Sequence, residues 1–385
     1  MNLLTLEKKI NIINIIPVFF ILGNFVSLED GFHQYIFIFV SGISFLLFFL
    51  KIFISQINIR VQKIIFYYLI LCALIFYSSL FISSNTQNFY RLSFLLITIF
   101  VCHSSSLLGD SKLIYKNIKN TIFFLTPIIL LLTLISSGFT LDRMKGFMGN
   151  ANSLARFCVF LTPFYFINSV NYLKERKTLT LKTLLNFLTF FSLILLIFST
   201  TSRGGLLLIF VQIVAFLTYD FNLKKIFNIN YIFKMMFCSF LFVFLSAFLY
   251  YLGLFDQIII KFQTLTEFKV SSDGFGILDI TNGRTNLAAL VIPFIKENLF
   301  GIDPKIINPT GLDAHNNYIN FALKYGFFSS ITFHSLFIYF QFYFYFAKEK
   351  NIINLIGFIT NSQIIVYWLF ETASVMYPVW LVIIL

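Results

Sequence analysis

Apolar residues in this chain do not alternate with polar ones. They run in continuous blocks of about 16–22 residues separated by short polar breaks, close to the ~20 an α-helix needs to cross a bilayer. A membrane β-barrel would instead show alternating segments of ~10 residues. The blocks place spans at about 10–28, 35–50, 64–82, 89–108, 118–137, 151–170, 183–199, 204–219, 232–252, 327–346 and 352–370. A further, shorter block runs from about 375 to 385 and crosses only if it begins within Glu371-Thr372-Ala373-Ser374 or where the bilayer thins. The pattern predicts an all-α polytopic integral membrane protein with about 12 transmembrane helices, a single integral domain over residues 1–385. One polar break is long, residues 253–317, and a cap or cleft would have to be built there. Inside it, 285–298 has the spacing of a helix lying at the membrane surface, which Pro293 is expected to kink or end.

Composition agrees. The chain is 58% hydrophobic and 11% charged, against about 25% charged for a soluble domain. Phenylalanine supplies 55 of 385 residues, more apolar surface than a water-soluble fold can hide.

Charge sets the orientation. With a cytoplasmic N-terminus, 17 of the 28 lysines and arginines fall in inside segments, and the short outside segments and helix ends hold only Arg91, Arg143, Lys145, Arg156 and Arg203. The remaining six lie in or beside the long loop, which this orientation puts outside. The net charge of +12 therefore reflects topology and attraction to the inner leaflet, and nucleic acid is not an expected partner. Lys8 and Lys9 precede the first apolar run as in a signal peptide, but no small-residue cleavage site follows, so the run reads as a retained anchor. Cys72, Cys102, Cys158 and Cys238 all fall in apolar spans, so neither a disulfide framework nor a metal site is expected. The inside connections are too short for a nucleotide-binding module, and no glycine-rich phosphate loop exists, so no cofactor is expected. Glycine interruptions at Gly42, Gly205 and Gly357 do not fall at corresponding places in two halves, as the repeats of many transporters would.

Candidate chemistry gathers at the outside ends of the spans. Arg203, in Thr200-Thr201-Ser202-Arg203-Gly204-Gly205, reads equally as a side chain reaching to headgroups or as an anion ligand beside closely approaching backbone. Arg284, in Thr281-Asn282-Gly283-Arg284-Thr285, is either a solvated loop residue or an anion ligand at a helix start. A guanidinium holds phosphate oxygens bidentately and keeps its charge. Of four histidines, His33, His103 and His334 suit structural roles, while His315 stands between Asp313 and Asn316-Asn317 where the long loop re-enters the membrane. An imidazole there can accept a proton near neutral pH, oriented by Asp313 or Asn316. Asn150, Asn152 and Arg156 form a further polar group at the start of the sixth span, with Arg156 its best candidate for substrate contact.

Gly149-Asn150-Ala151-Asn152, Ser202-Arg203-Gly204-Gly205, Gly283-Arg284, Asn298-Leu299-Phe300-Gly301 and His315-Asn316-Asn317-Tyr318, followed by Gly326, occur in this order over residues 149–326. In order, spacing and placement they resemble the O-antigen ligase and polymerase superfamily of bacterial envelopes. The resemblance implies an inverting, metal-independent glycosyltransferase in the bacterial inner membrane, its active site facing the periplasm. Its donor would be a glycan on undecaprenyl pyrophosphate, and its acceptor lipid A-core (a ligase) or a growing glycan (a polymerase). His315, Arg203 and Arg284 would be catalytic, with Arg156, Asn150, Asn152, Asn316 and Asp313 binding substrate. A single substantial outer loop tilts the reading to a ligase, with a polymerase next and a lipid or polysaccharide transporter as the alternative of another class.

Overall fold

In a computed structural model, the chain is described over residues 111–137, 144–146, 150–175, 181–219, 284–302, 316–348 and 351–370, with isolated positions at 236, 247 and 251. These residues form eight helices and no strand. They are α1 Ser111–Ser136, α2 Ala151–Glu175, α3 Leu181–Ser199, α4 Arg203–Thr218, α5 Arg284–Glu297, α6 Asn317–Tyr325, α7 Phe327–Tyr345 and α8 Ile352–Phe370. The expected spans at 10–28, 35–50, 64–82, 89–108 and 375–385 lie outside the described residues, as does that at 232–252 apart from positions 236, 247 and 251.

Among the described residues two helices are long and apolar enough to cross a membrane, Lys112–Ser136 and Ile352–Leu369, while Leu184–Ser199 and Gly204–Thr218 are shorter apolar helices. At 1.5 Å per residue the 26 residues of α1 extend roughly 39 Å, more than the ~30 Å hydrocarbon core. α1 is peripheral: one stripe, Ile114, Ile118, Ile122, Leu125 and Ile129, is buried, while Phe124 is 71% exposed and Leu131 and Ile135 more than half. α8 is internal. It packs against α2, α4, α6 and α7, with Ile356, Ile359 and Ile364 in the core.

Prolines inside helices are accommodated by neighbouring groups. Pro163 in α2 has no N–H to give the Val159 carbonyl, and the Thr162 hydroxyl takes that carbonyl instead at 2.7 Å. Pro293 does not end α5, which continues to Glu297, so the expectation that the helix ends there is corrected. Ile295, buried against Leu323, holds that last turn in place.

Polar side chains fix how α2, α4 and α8 face one another. Gln212 of α4 has its Oε1 2.5 Å from the Thr162 hydroxyl of α2 and accepts from Gln363 Nε2 of α8 at 3.2 Å. Elsewhere along α8, Asn361 Nδ2 donates to Gln341 Oε1 (2.7 Å) and to the Phe337 carbonyl (2.8 Å) of α7. In apolar surroundings such bonds specify register, because a mispaired amide has no water to turn to.

The second device is a backbone crossing. After α5 the chain turns through Asn298–Ile302 and lies against the α6–α7 corner, with Phe327 N donating to Leu299 O (2.8 Å) and Ile302 N to Leu323 O (2.9 Å). A Cβ at Gly301 would stand 2.8 Å from Lys324 O, and one at Gly326 only 2.6 Å from the Phe300 carbonyl carbon. The two segments touch backbone to backbone because both residues at the crossing are glycine.

Candidate functional site

The helices bring several sequence-predicted residues to one end of the bundle. α1 and α3 finish there and α2 and α4 begin there, with Met144 of the intervening loop donating its N–H to Ser199 O (2.9 Å). α2 and α4 start side by side: a Cβ at Gly205 would stand 3.0 Å from Ala155 Cβ. Gly205 thus lets two first turns pack closely, and the backbones of Arg156 and Arg203 occupy adjoining turns.

Each helix start has its own cap. Asn150 Oδ1 accepts from Asn152 N (2.9 Å) ahead of α2, and both asparagines are exposed. Ser202 Oγ accepts from Gly205 N (3.3 Å) at the start of α4. The turn before it is sharp and buried, with Thr201 at φ 51, a backbone conformation β-branched residues rarely adopt. That strain sits directly before Ser202 and Arg203, held by Thr200 Oγ1, which donates to Ile197 O and accepts from Ser202 N. Arg203 and Arg284 begin α4 and α5, and their side chains lie outside the described residues.

Arg156 is half-buried, and its guanidinium carbon lies 4.9 Å from the centre of the Tyr367 ring near the end of α8. A guanidinium over a ring face is held there by the ring's quadrupole and keeps its charge, which suits an anion nearby. Tyr367 had no place in the sequence reading. It lies 211 positions from Arg156 inside an apolar run, and no local signal connects the two.

The same end of α8 receives α6. Asn316 is the N-cap of α6, its Oδ1 accepting from Ile319 N (3.1 Å) and its Nδ2 donating to Leu369 O (3.3 Å). Tyr318 donates its hydroxyl to Ile365 O (3.0 Å). Burial pushes that hydroxyl up to about 12, so it stays a protonated donor. The Asn316 and Tyr318 side chains thereby bond two carbonyls near the end of α8, and that of Leu369, in the last turn, has no N–H of its own helix to meet. His315 and Asp313 lie outside the described residues, but Asn316 directly follows His315 and is anchored at both ends of its amide.

His334, assigned a structural role from sequence, sits beneath this junction. Its Nδ1 is 2.6 Å from the Ser330 carbonyl, an acceptor only, which puts the ring hydrogen on Nδ1. Its ring lies 4.2 Å from Tyr318, 5.2 Å from Trp368 and 5.6 Å from Phe321, so α6, α7 and α8 meet around it.

The arrangement therefore gathers one guanidinium over an aromatic ring, the start of the helix that carries Arg203, and the anchored start of the helix that follows His315. Its chemistry suits an anion bound at the end of the bundle. Among the described residues no cluster of histidine, cysteine or carboxylate could hold a metal ion. No family model matches the chain, and no curated protein matches it.

Proposed function

We propose that this chain is an O-antigen ligase-like membrane glycosyltransferase of the bacterial inner membrane, with about 12 spans and its site on the periplasmic face. The observation that supports the reading best is that Arg156, near the start of α2, lies over Tyr367 near the end of α8, the same end to which Asn316 fastens the start of α6. The acceptor hydroxyl of lipid A-core attacks the anomeric carbon of the donor, and His315 takes its proton. The bond from that carbon to the pyrophosphate oxygen breaks with inversion, and undecaprenyl pyrophosphate leaves with its negative charge. Arg203 and Arg284 stabilise that leaving charge, and Arg156 with Asn150, Asn152 and Asp313 surrounds the substrate, while Asn316 fastens the start of α6 to α8 beside it. A good leaving group held by fixed cations needs no metal. A repeat-unit polymerase would use the same chemistry with a growing glycan as acceptor. Deleting the gene separates the two: a ligase leaves lipid-linked polymer unattached, a polymerase leaves single repeat units on the core. A lipid or polysaccharide transporter would instead draw on polar groups midway along the bundle. Gln212 and Gln363 are such groups, but they are neutral and bonded to one another, whereas Arg156 stands at the bundle's end.

Reporter fusions after Lys225 and near Ser272 should mark opposite sides of the membrane, the second outside, as the 17 inside lysines and arginines require. Reports from the cytoplasm at both would overturn the topology and the donor together. Arg203→Lys and Arg284→Lys should each lower transfer at least about tenfold while the protein still inserts, because the planar fork is lost and the charge kept. Near-normal transfer by both variants would make these arginines headgroup contacts only.

A further inference from the structure

We infer that Asn317, rather than Asn316, is the asparagine of this pair that grips substrate, donating from its side-chain amide to a phosphoryl oxygen. The inference rests on the pyrophosphate reading above. Asn316 is already committed: its oxygen caps α6 through Ile319 N and its nitrogen is bonded to Leu369 O. Neither end of that amide is available without unfastening α6 from α8.

Asn317 differs. It is 5% exposed, and its Nδ2 has no hydrogen-bond partner among the described residues. A buried amide donor without an acceptor is a standing penalty, and one kept at a helix start asks for a reason. Asn317 is the first residue of α6, a nine-residue helix. A side chain at that position leans toward the N-terminus, over the end of the helix. Two sources of positive potential coincide there: the carboxamide hydrogens and the first N–H groups of α6, which have no carbonyl in their own helix to meet. The ligand that suits both is an oxyanion. Arg156, over the Tyr367 ring within the Ile365–Leu369 stretch that anchors α6, places a guanidinium at the same end of α8.

A buried donor with no acceptor among the described residues is satisfied when a ligand oxygen arrives, and its removal then costs the empty protein nothing. Asn317 should therefore behave opposite to a structural asparagine. The test uses the full chain in detergent micelles, titrated with inorganic pyrophosphate and followed by calorimetry and thermal unfolding. Wild type should show saturable binding and a rise in Tm. Asn317→Leu, close in volume and without the donor, should unfold at the same or a higher temperature when empty and bind pyrophosphate about tenfold or more weakly. Asn317→Asp, nearly isosteric, should be weaker still, since it removes the donors and adds a charge that repels the anion. Binding by either variant within about twofold of wild type, well short of the tenfold that a lost charge-assisted bond implies, would overturn the inference and leave the pyrophosphate reading standing. An empty Asn317→Leu protein that unfolds several degrees lower would make Asn317 a structural residue and overturn it likewise. No saturable binding by wild type would remove the pyrophosphate reading and this inference together.

Discussion

Gly326→Ala is expected to leave the protein unable to close the corner between α6 and α7. Gly326 has φ 92 and ψ 156, a region that is essentially glycine's own, and a side chain there costs on the order of 1–3 kcal/mol in backbone strain alone. The added methyl would also stand 2.7 Å from Leu299 O and 2.6 Å from the Phe300 carbonyl carbon, both backbone atoms with no rotamer to change. Moving them breaks the Phe327 N to Leu299 O bond and frees the end of α5. The measurable result is a Tm lower by many degrees or no folded protein after extraction. Gly204→Ala is the control. Nothing lies nearer its new methyl than Ser202 Oγ at 3.9 Å, and within a helix alanine is favoured over glycine by about 1 kcal/mol. It should be neutral or stabilising. A Gly326→Ala protein as stable as wild type would show that the crossing does not hold this corner.

His315→Gln should lower glycosyl transfer by about 10²–10⁴-fold, the usual contribution of a positioned general base. The segment that follows His315 is firmly placed. Asn316 has φ −142 and ψ 117, so the chain enters α6 extended, and its amide and the Tyr318 hydroxyl tie the next residues to α8. The sign of the pH response identifies the role. A base works unprotonated, so activity falls as pH drops through its pKa. A histidine that only binds pyrophosphate as a cation loses function as pH rises. Purified protein with lipid-linked donor, assayed from about pH 5.5 to 9, distinguishes them around the ordinary imidazole range. Full activity in His315→Gln would remove the residue from the mechanism.

Apolar run length located six of the helices that the structure describes, and the errors at their ends have physical causes. The span expected at 118–137 begins at Ser111 because Ile114 and Ile118 continue the buried stripe between Lys112, Lys116 and Lys119. A run stops at a charge, whereas a helix face does not. α2 likewise extends past 170 to Glu175. The nine residues of α6 were hidden for the opposite reason, since Asn317, Asn320 and Lys324 interrupt a short helix that buries one side. At the site, the order of motifs was readable, and the partners were not. Tyr367 beneath Arg156 and the α8 carbonyls that receive Asn316 and Tyr318 depend on contacts between distant segments. Gly205, read as room for a ligand, is occupied by packing on Ala155 and Ile197.

The order in which the chain is made gives α8 a particular standing. Gln212 and Gln363 are 151 positions apart, a gap that takes on the order of ten seconds to synthesise. Until α8 emerges, Gln212 lacks the Gln363 amide, Arg156 lacks the Tyr367 ring, and Asn316 and Tyr318 lack the carbonyls they meet in the finished protein. A chain stopped at residue 351 would carry nearly every motif residue and still present incompletely paired amides among apolar helices. Such a fragment lacks contacts that the complete chain makes, so cells are expected to accumulate the complete chain at a higher level than the truncated one.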